Sequence, residues 1–176
     1  MTVFDINKSV DTLLIISQKN RRYFTKFNST FCYLILTRDR KIFLTDYRYF
    51  EMAQEIKDDF ELKAISGGEL KKVLHKTLTE VNAKNIGFED TELTVAEFDT
   101  LKKILPDFNL VPIGSDLAEI KKYKNAYEIE CVSKAQSITD KAFNVVLNVI
   151  KEGISEKELS VKLQNLLLEF SLLPHP

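Results

Sequence analysis

The sequence predicts an α/β fold, in which a mixed sheet with helices on both faces is followed by two further helices. Three observations support this prediction. Short apolar runs of strand character recur as far as residue 113, and the later runs alternate with amphipathic helical segments. Beyond them, two long helical patterns follow one another with no strand-like run between them.

Six short runs rich in apolar residues are the candidate strands. They are Thr12–Ile16, Phe31–Thr37, Ile42–Thr45, Leu62–Ile65, Asn85–Phe88 and Asn109–Ile113. The second and third are joined by the polar link Arg38-Asp-Arg-Lys, which suits an antiparallel hairpin. The later alternation of strands and helices implies parallel pairing through right-handed crossovers. A hairpin combined with such crossovers predicts a mixed sheet within a domain of residues 1–117.

Helix starts are marked by three capping boxes, Ser66-Gly-Gly-Glu69, Thr94-Val-Ala-Glu97 and Ser155-Glu-Lys-Glu158. In each, the hydroxyl can accept from the backbone three residues on while the glutamate reaches back to the cap residue. Asp46 at the end of the third strand is a further candidate cap, for a helix that begins near Arg48. In a purely structural role, Asp46 would be the N-cap of this helix and Arg48 would form a local ion pair.

The character of the sequence changes at Asp116, and residues 118–176 form the second predicted region. Apolar residues at helical spacing predict one long helix from Ile120 to Ile150, ended by Gly153. A second helix follows Ser155. Two amphipathic helices with no sheet to cover would leave their apolar stripes exposed. This region is therefore interpreted as the beginning of a domain.

Composition narrows the range of functions. A composition of 44% hydrophobic and 29% charged residues is ordinary for a soluble protein. The net charge of -1 produces no electrostatic field that would attract nucleic acid. No apolar run reaches the roughly 18 residues that span a membrane, and the N-terminus lacks the pattern of a signal peptide. Cys32 and Cys131 are interpreted as buried thiols. A cytoplasmic protein that binds neither nucleic acid nor membrane is expected.

Four motifs occur in a characteristic order. They are Asn20–Phe27, Thr45–Tyr49, Ile86–Glu89 and the segment Lys121–Ile129. Together they resemble the N-terminal region of the Xaa-Pro aminopeptidase, prolidase and creatinase family. Each motif alone is weak, whereas their order and spacing together are fairly specific.

Two departures from the family pattern are visible. Lys26 stands where the family favours glycine before Phe27. If that glycine serves a positive φ angle, lysine there would be strained. The junction arginine of the family is also absent, because Lys121 stands first in the junction motif. The contact that the family arginine makes to the neighbouring domain is therefore not carried over to this chain.

The resemblance implies a two-domain protein. Residues 1–117 would be a ribonuclease-H-like creatinase N-terminal domain, and residues 118–176 the helical start of an incomplete pita-bread catalytic domain. The family hydrolyses proline-containing peptides with two divalent metals, for which Mn, Co or Zn is expected in a full-length parent. The ligands (two aspartates, one histidine and two glutamates) would follow residue 170. No catalytic or metal-ligating residue is therefore assigned, and this chain is expected to be inactive alone.

In the family, the N-terminal domain forms the dimer and shields the active site. The resemblance therefore makes Tyr23, Phe27, Arg48 and Tyr49 candidates for substrate-shielding or dimer contacts within a homodimer. His75 is interpreted as a surface histidine. The family has a Pro-His pair further downstream, and the pair Pro174-His175 is interpreted as a coincidental match to it, with an internal deletion in the gene as the alternative.

Two other hypotheses remain open. One is a non-catalytic module of the same architecture that binds peptides or proteins. The other is a degraded gene product or a truncated chain, with no activity of its own.

Overall fold

One six-stranded mixed sheet organises the N-terminal part of the chain. In chain order its strands are β1 Thr12–Ile15, β2 Cys32–Leu36, β3 Lys41–Asp46, β4 Glu61–Ile65, β5 Asn85–Phe88 and β6 Asn109–Pro112. The spatial order is β4-β3-β2-β1-β5-β6. β2 is antiparallel to both of its neighbours, whereas the other three pairs are parallel. The predicted strands, hairpin and mixed sheet are all confirmed.

The computed structural model describes residues 2–66 and 68–172. Its helices are α1 Val3–Ile6, α2 Gln18–Thr25, α3 Tyr47–Phe50, α4 Leu70–Glu80, α5 Val95–Ile104, α6 Gly114–Lys122, α7 Ala126–Leu147 and α8 Glu156–Leu172. A 3₁₀ helix, Met52–Ile56, follows α3.

Helices cover both faces of the sheet because the strand side chains alternate between two cores. Leu13 and Ile15 of β1 face a cluster that includes residues of α1 and α6. Leu14, between them, faces the opposite cluster, where Leu74 of α4 and Leu101 of α5 are buried. Both crossover helices, α4 and α5, therefore lie on the same face of the sheet.

The chain divides into two units between Lys122 and Tyr123. The predicted boundary after residue 117 falls inside α6, whose Leu117 and Ile120 belong to the core of the first unit. The whole of α6 therefore belongs to the first unit. The interpretation of the later residues as the start of a catalytic domain remains a prediction.

The predicted single helix from Ile120 to Ile150 is wrong, because the chain leaves helical geometry between α6 and α7. Asn125 begins α7 as an N-cap: its side chain accepts from the Glu128 amide at 2.9 Å, and Glu128 reaches back to the Asn125 amide. This capping box, formed by Asn125-Ala-Tyr-Glu128, separates the two helices. α7 ends at Leu147, and Gly153 adopts φ +87° in the connection to α8.

In the second unit α7 and α8 pack on one another with a small core. Ala142, Val146 and Leu166 are its buried residues. Apolar side chains elsewhere on the helices remain exposed, among them Val132 and Leu168. The expected apolar stripe is therefore present when this unit is considered by itself.

Two of the three predicted capping boxes are confirmed, at Thr94 with Glu97 and at Ser155 with Glu158. The third is wrong: α4 begins at Leu70 with Glu69 as its cap residue. The Ser66 carbonyl accepts from the Glu69 amide in a turn that precedes the helix. Of the other residues in that motif, Gly67 lies outside the described residues.

Lys26 adopts the positive φ angle on which the expected strain depends. Lys26 caps the C-terminus of α2 with φ 58° and ψ 0°, and its amide donates to the Arg22 carbonyl at 2.8 Å. This left-handed conformation costs an L-residue about 1–2 kcal/mol because Cβ crowds the following carbonyl. Glycine adopts it without that cost.

We expect Lys26→Gly to raise the free energy of unfolding by about 1 kcal/mol, since relief of strain exceeds the added entropy of the unfolded chain. Urea unfolding followed by circular dichroism measures this change. Asn82→Gly is the matched control, because Asn82 has φ 55° but asparagine tolerates this conformation. A gain at Asn82 equal to or larger than that at Lys26 would contradict the explanation.

Candidate functional site

Polar side chains converge at one edge of the sheet. Since β1, β3, β4, β5 and β6 run in the same direction, their C-terminal ends share this edge. We call it the carboxyl edge and define it as residues 16–31, 46–50 and 89–90. Open α/β sheets bind their ligands outside the carboxyl ends of the strands. The carboxyl edge is therefore the candidate site.

A buried carboxylate lies at the centre of this edge. Glu89 directly follows β5 and is 1% exposed. Its oxygens accept hydrogen bonds from the Ile16 and Ser17 amides, from Ser17 Oγ at 2.6 Å and from Asn20 Nδ2 at 2.5 Å. Ser17 is also the N-cap of α2, so the carboxylate sits at the positive end of that helix. These donors and the helix dipole offset the cost of burying the charge.

A buried guanidinium holds the loop between α2 and β2. Arg21 is 5% exposed and donates to three backbone carbonyls. They are those of Ile16 at 2.7 Å, Cys32 at 2.6 Å and Ser29 at 2.8 Å. Arg21 Nε has no hydrogen-bond partner among the described residues. Arg21 thus ties the end of β1 to the start of β2 and to the loop that carries Phe27.

Lys121 connects the last turn of α6 to the same edge. Its ammonium group donates to Asn20 Oδ1 and lies 5.3 Å from the centroid of the Tyr23 ring, within range of a cation–π interaction. Partial burial lowers the pKa of Lys121, and the nearby charge of Lys19 lowers it further. The residue in place of the family arginine therefore contacts Asn20 and Tyr23 within the first unit.

The end of β3 confirms the structural interpretation of Asp46. Its carboxylate accepts from the Arg48 amide at 3.0 Å and from Arg48 Nε at 2.9 Å. The Arg48 guanidinium lowers the pKa of Asp46 through these bonds. Arg48 nevertheless keeps 69% of its side chain exposed. Tyr49, beside it, joins its hydroxyl to Thr30 Oγ1 at 2.7 Å.

The four predicted contact residues are in different environments. Arg48 and Tyr49 lie together, with the guanidinium 5.7 Å from the Tyr49 ring. Tyr23 packs against the core and against Lys121. Phe27 is 4% exposed and meets Phe43 edge-to-face at 5.6 Å. Any contribution of Phe27 to a contact surface would therefore be indirect, through the position of its loop.

The sequence interpretation missed three residues of this network, namely Asn20, Arg21 and Glu89. Asn20 and Glu89 stood in the quoted motifs, but nothing in their spacing showed that the two side chains meet. Arg21, in a helix beside Arg22, has the pattern of a solvated basic pair. The guanidinium reaches the loop between α2 and β2 only because the turn from β1 into α2 orients Arg21 toward it.

The two cysteines and the one described histidine, His75, lie in three different environments. Burial raises the pKa of the Cys32 thiol to about 11, which keeps it protonated. Cys131 is exposed, so the prediction of a buried thiol there is wrong; the apolar period of α7 does not bury this face within its own unit. His75 is partly exposed and lies 3.1 Å from Asp107. His175 lies outside the described residues.

The described residues do not fit a binuclear metal centre. Within residues 2–66 and 68–172, no group of three or more His, Cys, Asp or Glu side chains is placed to hold a metal ion. In that same part of the chain, no helix is both long and apolar enough to cross a membrane.

The family model of the creatinase/prolidase N-terminal domain matches residues 7–121 of this chain. The chain belongs to this family. The matched segment ends one residue before the end of the first structural unit.

Relatives extend the similarity into the second unit. The peptidase YqhT of Bacillus subtilis is 30% identical over 155 residues, which are 88% of this chain and 44% of YqhT. The Xaa-Pro dipeptidase of Bacillus anthracis has a TM-score of 0.85 at 26% identity, over 95% of this chain and 47% of its own. The X-Pro aminopeptidase of Thermotoga maritima has a TM-score of 0.82 at 24% identity, over 92% of this chain and 47% of its own. The chain thus spans less than half the length of these relatives.

We expect Glu89→Gln to lower the free energy of unfolding by about 3 kcal/mol, because an amide nitrogen would face donors that now meet a carboxylate. Hydrogen exchange of α2 amides together with urea unfolding measures this effect. Glu92→Gln is the control, since Glu92 pairs with the exposed Lys19 at 2.6 Å and should cost about 0.5 kcal/mol or less. Equal losses in the two variants would refute the central role of Glu89.

Proposed function

We propose that this chain is the N-terminal portion of a metal-dependent Xaa-Pro peptidase, of the aminopeptidase P or prolidase type. Its own part would be dimerisation and shielding of the active site. The family match over residues 7–121 is the observation that carries this proposal. The relatives named above, of which this chain spans less than half, support it.

The chemistry of such an enzyme would come from residues outside this chain. Two divalent metals, Mn, Co or Zn, would activate the attacking water when bound to a full-length parent. The described residues do not fit that centre, so no catalytic step is assigned to them. We propose that residues 118–176 begin the catalytic domain and that its metal ligands lie outside these 176 residues.

The carboxyl edge supplies the contact residues. Arg48 is oriented by Asp46 yet stays exposed, so its charge is available to a peptide carboxylate or to a partner subunit. Tyr49 is fixed by Thr30, and Tyr23 by Lys121. We propose that this surface forms the homodimer contact and restricts the access of proline-containing peptides to the active site. Phe27 would contribute by anchoring its loop in the core. The cytoplasmic location stays a prediction.

The activity is tested with the native protein purified from its own cells. We expect an intact mass near twice 20.3 kDa. We also expect hydrolysis of an Xaa-Pro dipeptide that a chelator abolishes and Mn restores, whereas the 176-residue chain is inert. A native protein of 20.3 kDa that is inert with Mn, Co and Zn would instead favour the non-catalytic binding module.

The proposed dimer contact is tested by charge reversal. We expect Arg48→Glu to weaken self-association about tenfold or more in sedimentation equilibrium, because a like charge would then adjoin Asp46 at the interface. Arg40→Glu is the matched control: Arg40 also makes two hydrogen bonds to one acid, Glu61, but lies at the opposite end of β3. Equal weakening by the two variants would place the interface elsewhere.

A further inference from the structure

A cleft opens between the two helices that cover one face of the sheet. α4 contributes Leu74 and α5 contributes Leu101 and Ile104, while Ile16 and Tyr33 form its floor. Its volume is about 260 Å³. A dry cavity of about 150 Å³ accepts benzene. The cleft therefore has room for one aromatic ring and a short side chain.

Two of its polar side chains, Thr100 and Tyr33, differ in their hydrogen bonding. Thr100 Oγ1 donates to the Ala96 carbonyl at 2.8 Å. The hydroxyl of Tyr33, which is half-buried, has no hydrogen-bond partner among the described residues. Burial raises the pKa of Tyr33, which keeps the hydroxyl protonated and able to donate or accept. A ligand that fills the cleft would meet one unpaired hydroxyl.

The charge of the cleft is negative. Among its described lining residues, Glu97 is the only one that is ionised at neutral pH. Hydrogen bonds from the Thr94 backbone and side chain lower the pKa of Glu97 and hold its carboxylate in place. The remaining lone pairs of that carboxylate face solvent, because Glu97 is exposed. Glu97 lies in the first turn of α5, so the positive end of that helix offsets part of this charge. The remaining negative charge favours a cation over an anion.

We propose that this cleft is a binding site for a small primary amine that carries one aromatic ring. The ring would lie against the partly exposed side chains of Ile16 and Ile104. The ammonium group would pair with Glu97, with Tyr33 as a second polar contact. The cleft lies between α4 and α5 and uses none of the predicted contact residues. The proposal is therefore independent of the peptidase function.

Phenethylamine and phenylacetate are the probes, because they match in size and differ in the sign of their charge. The measurement is the chemical shift of backbone amides in the isotope-labelled chain during titration. We expect saturable shifts at Ile16, Tyr33 and Leu101 with phenethylamine, with a dissociation constant of about 1 mM as is usual for a fragment of this size. Phenylacetate should bind at least about fivefold more weakly.

Three variants separate the site from general surface effects. Ala96→Phe fills the cleft from an exposed helix position and should abolish the shifts. Glu97→Gln preserves the capping box and should weaken phenethylamine about fivefold while leaving the fold intact. Glu61→Gln removes a carboxylate elsewhere and should leave binding unchanged. Absence of saturable shifts, or shifts that survive both Ala96→Phe and Glu97→Gln, would overturn the proposal.

Discussion

The carboxylate of Glu89 is the constraint on which the carboxyl edge depends. It lies at the end of β5 and accepts from the turn that connects β1 to α2, so it joins two parallel strands and the helix that follows one of them. Through Asn20 the network reaches Lys121 in α6. A buried ion is costly unless it is hydrogen-bonded and paired. Because Ser17 and Asn20 must stay within hydrogen-bond distance of this carboxylate, the position of α2 is closely restricted.

The parallel direction of five strands gives this network its location. Residues more than seventy positions apart in the sequence meet because their strands end at the same edge, as Glu89 and Ser17 do. The glycine that precedes Phe88 has a related role: a Cβ at Gly87 would lie 2.8 Å from Ile113 Cγ2. Close packing behind β5 and hydrogen bonding at its end thus give the Ile86–Glu89 motif a structural explanation.

The two units differ in how completely they bury their apolar residues. The first has a core on each face of its sheet, whereas the second buries three residues between two helices. Exposed positions such as Val132 and Leu168 remain on those helices. The similarity to relatives includes both units and extends over less than half of each relative's length. This contrast agrees with the proposal that the second unit begins a larger domain.

Local patterns were sufficient to predict much of the first unit. The strands, the β2–β3 hairpin and the caps at Asp46, Thr94 and Ser155 depend on neighbouring residues, so the sequence predicts them. The strain at Lys26 was also predictable, because the family position indicates a backbone angle that lysine adopts at a cost. Family membership rested on motif order, which is likewise a property of the sequence.

By itself, then, the sequence determined the fold class, the strand positions and the family. The tertiary structure decided which polar residues form the site, because Glu89, Arg21 and Lys121 acquire their partners only when distant segments are brought together. It also decided the break before α7 and the exposure of Cys131, which periodicity misjudged. A helical period identifies an apolar face, but burial depends on what packs against that face, and a short-range pattern does not contain that information.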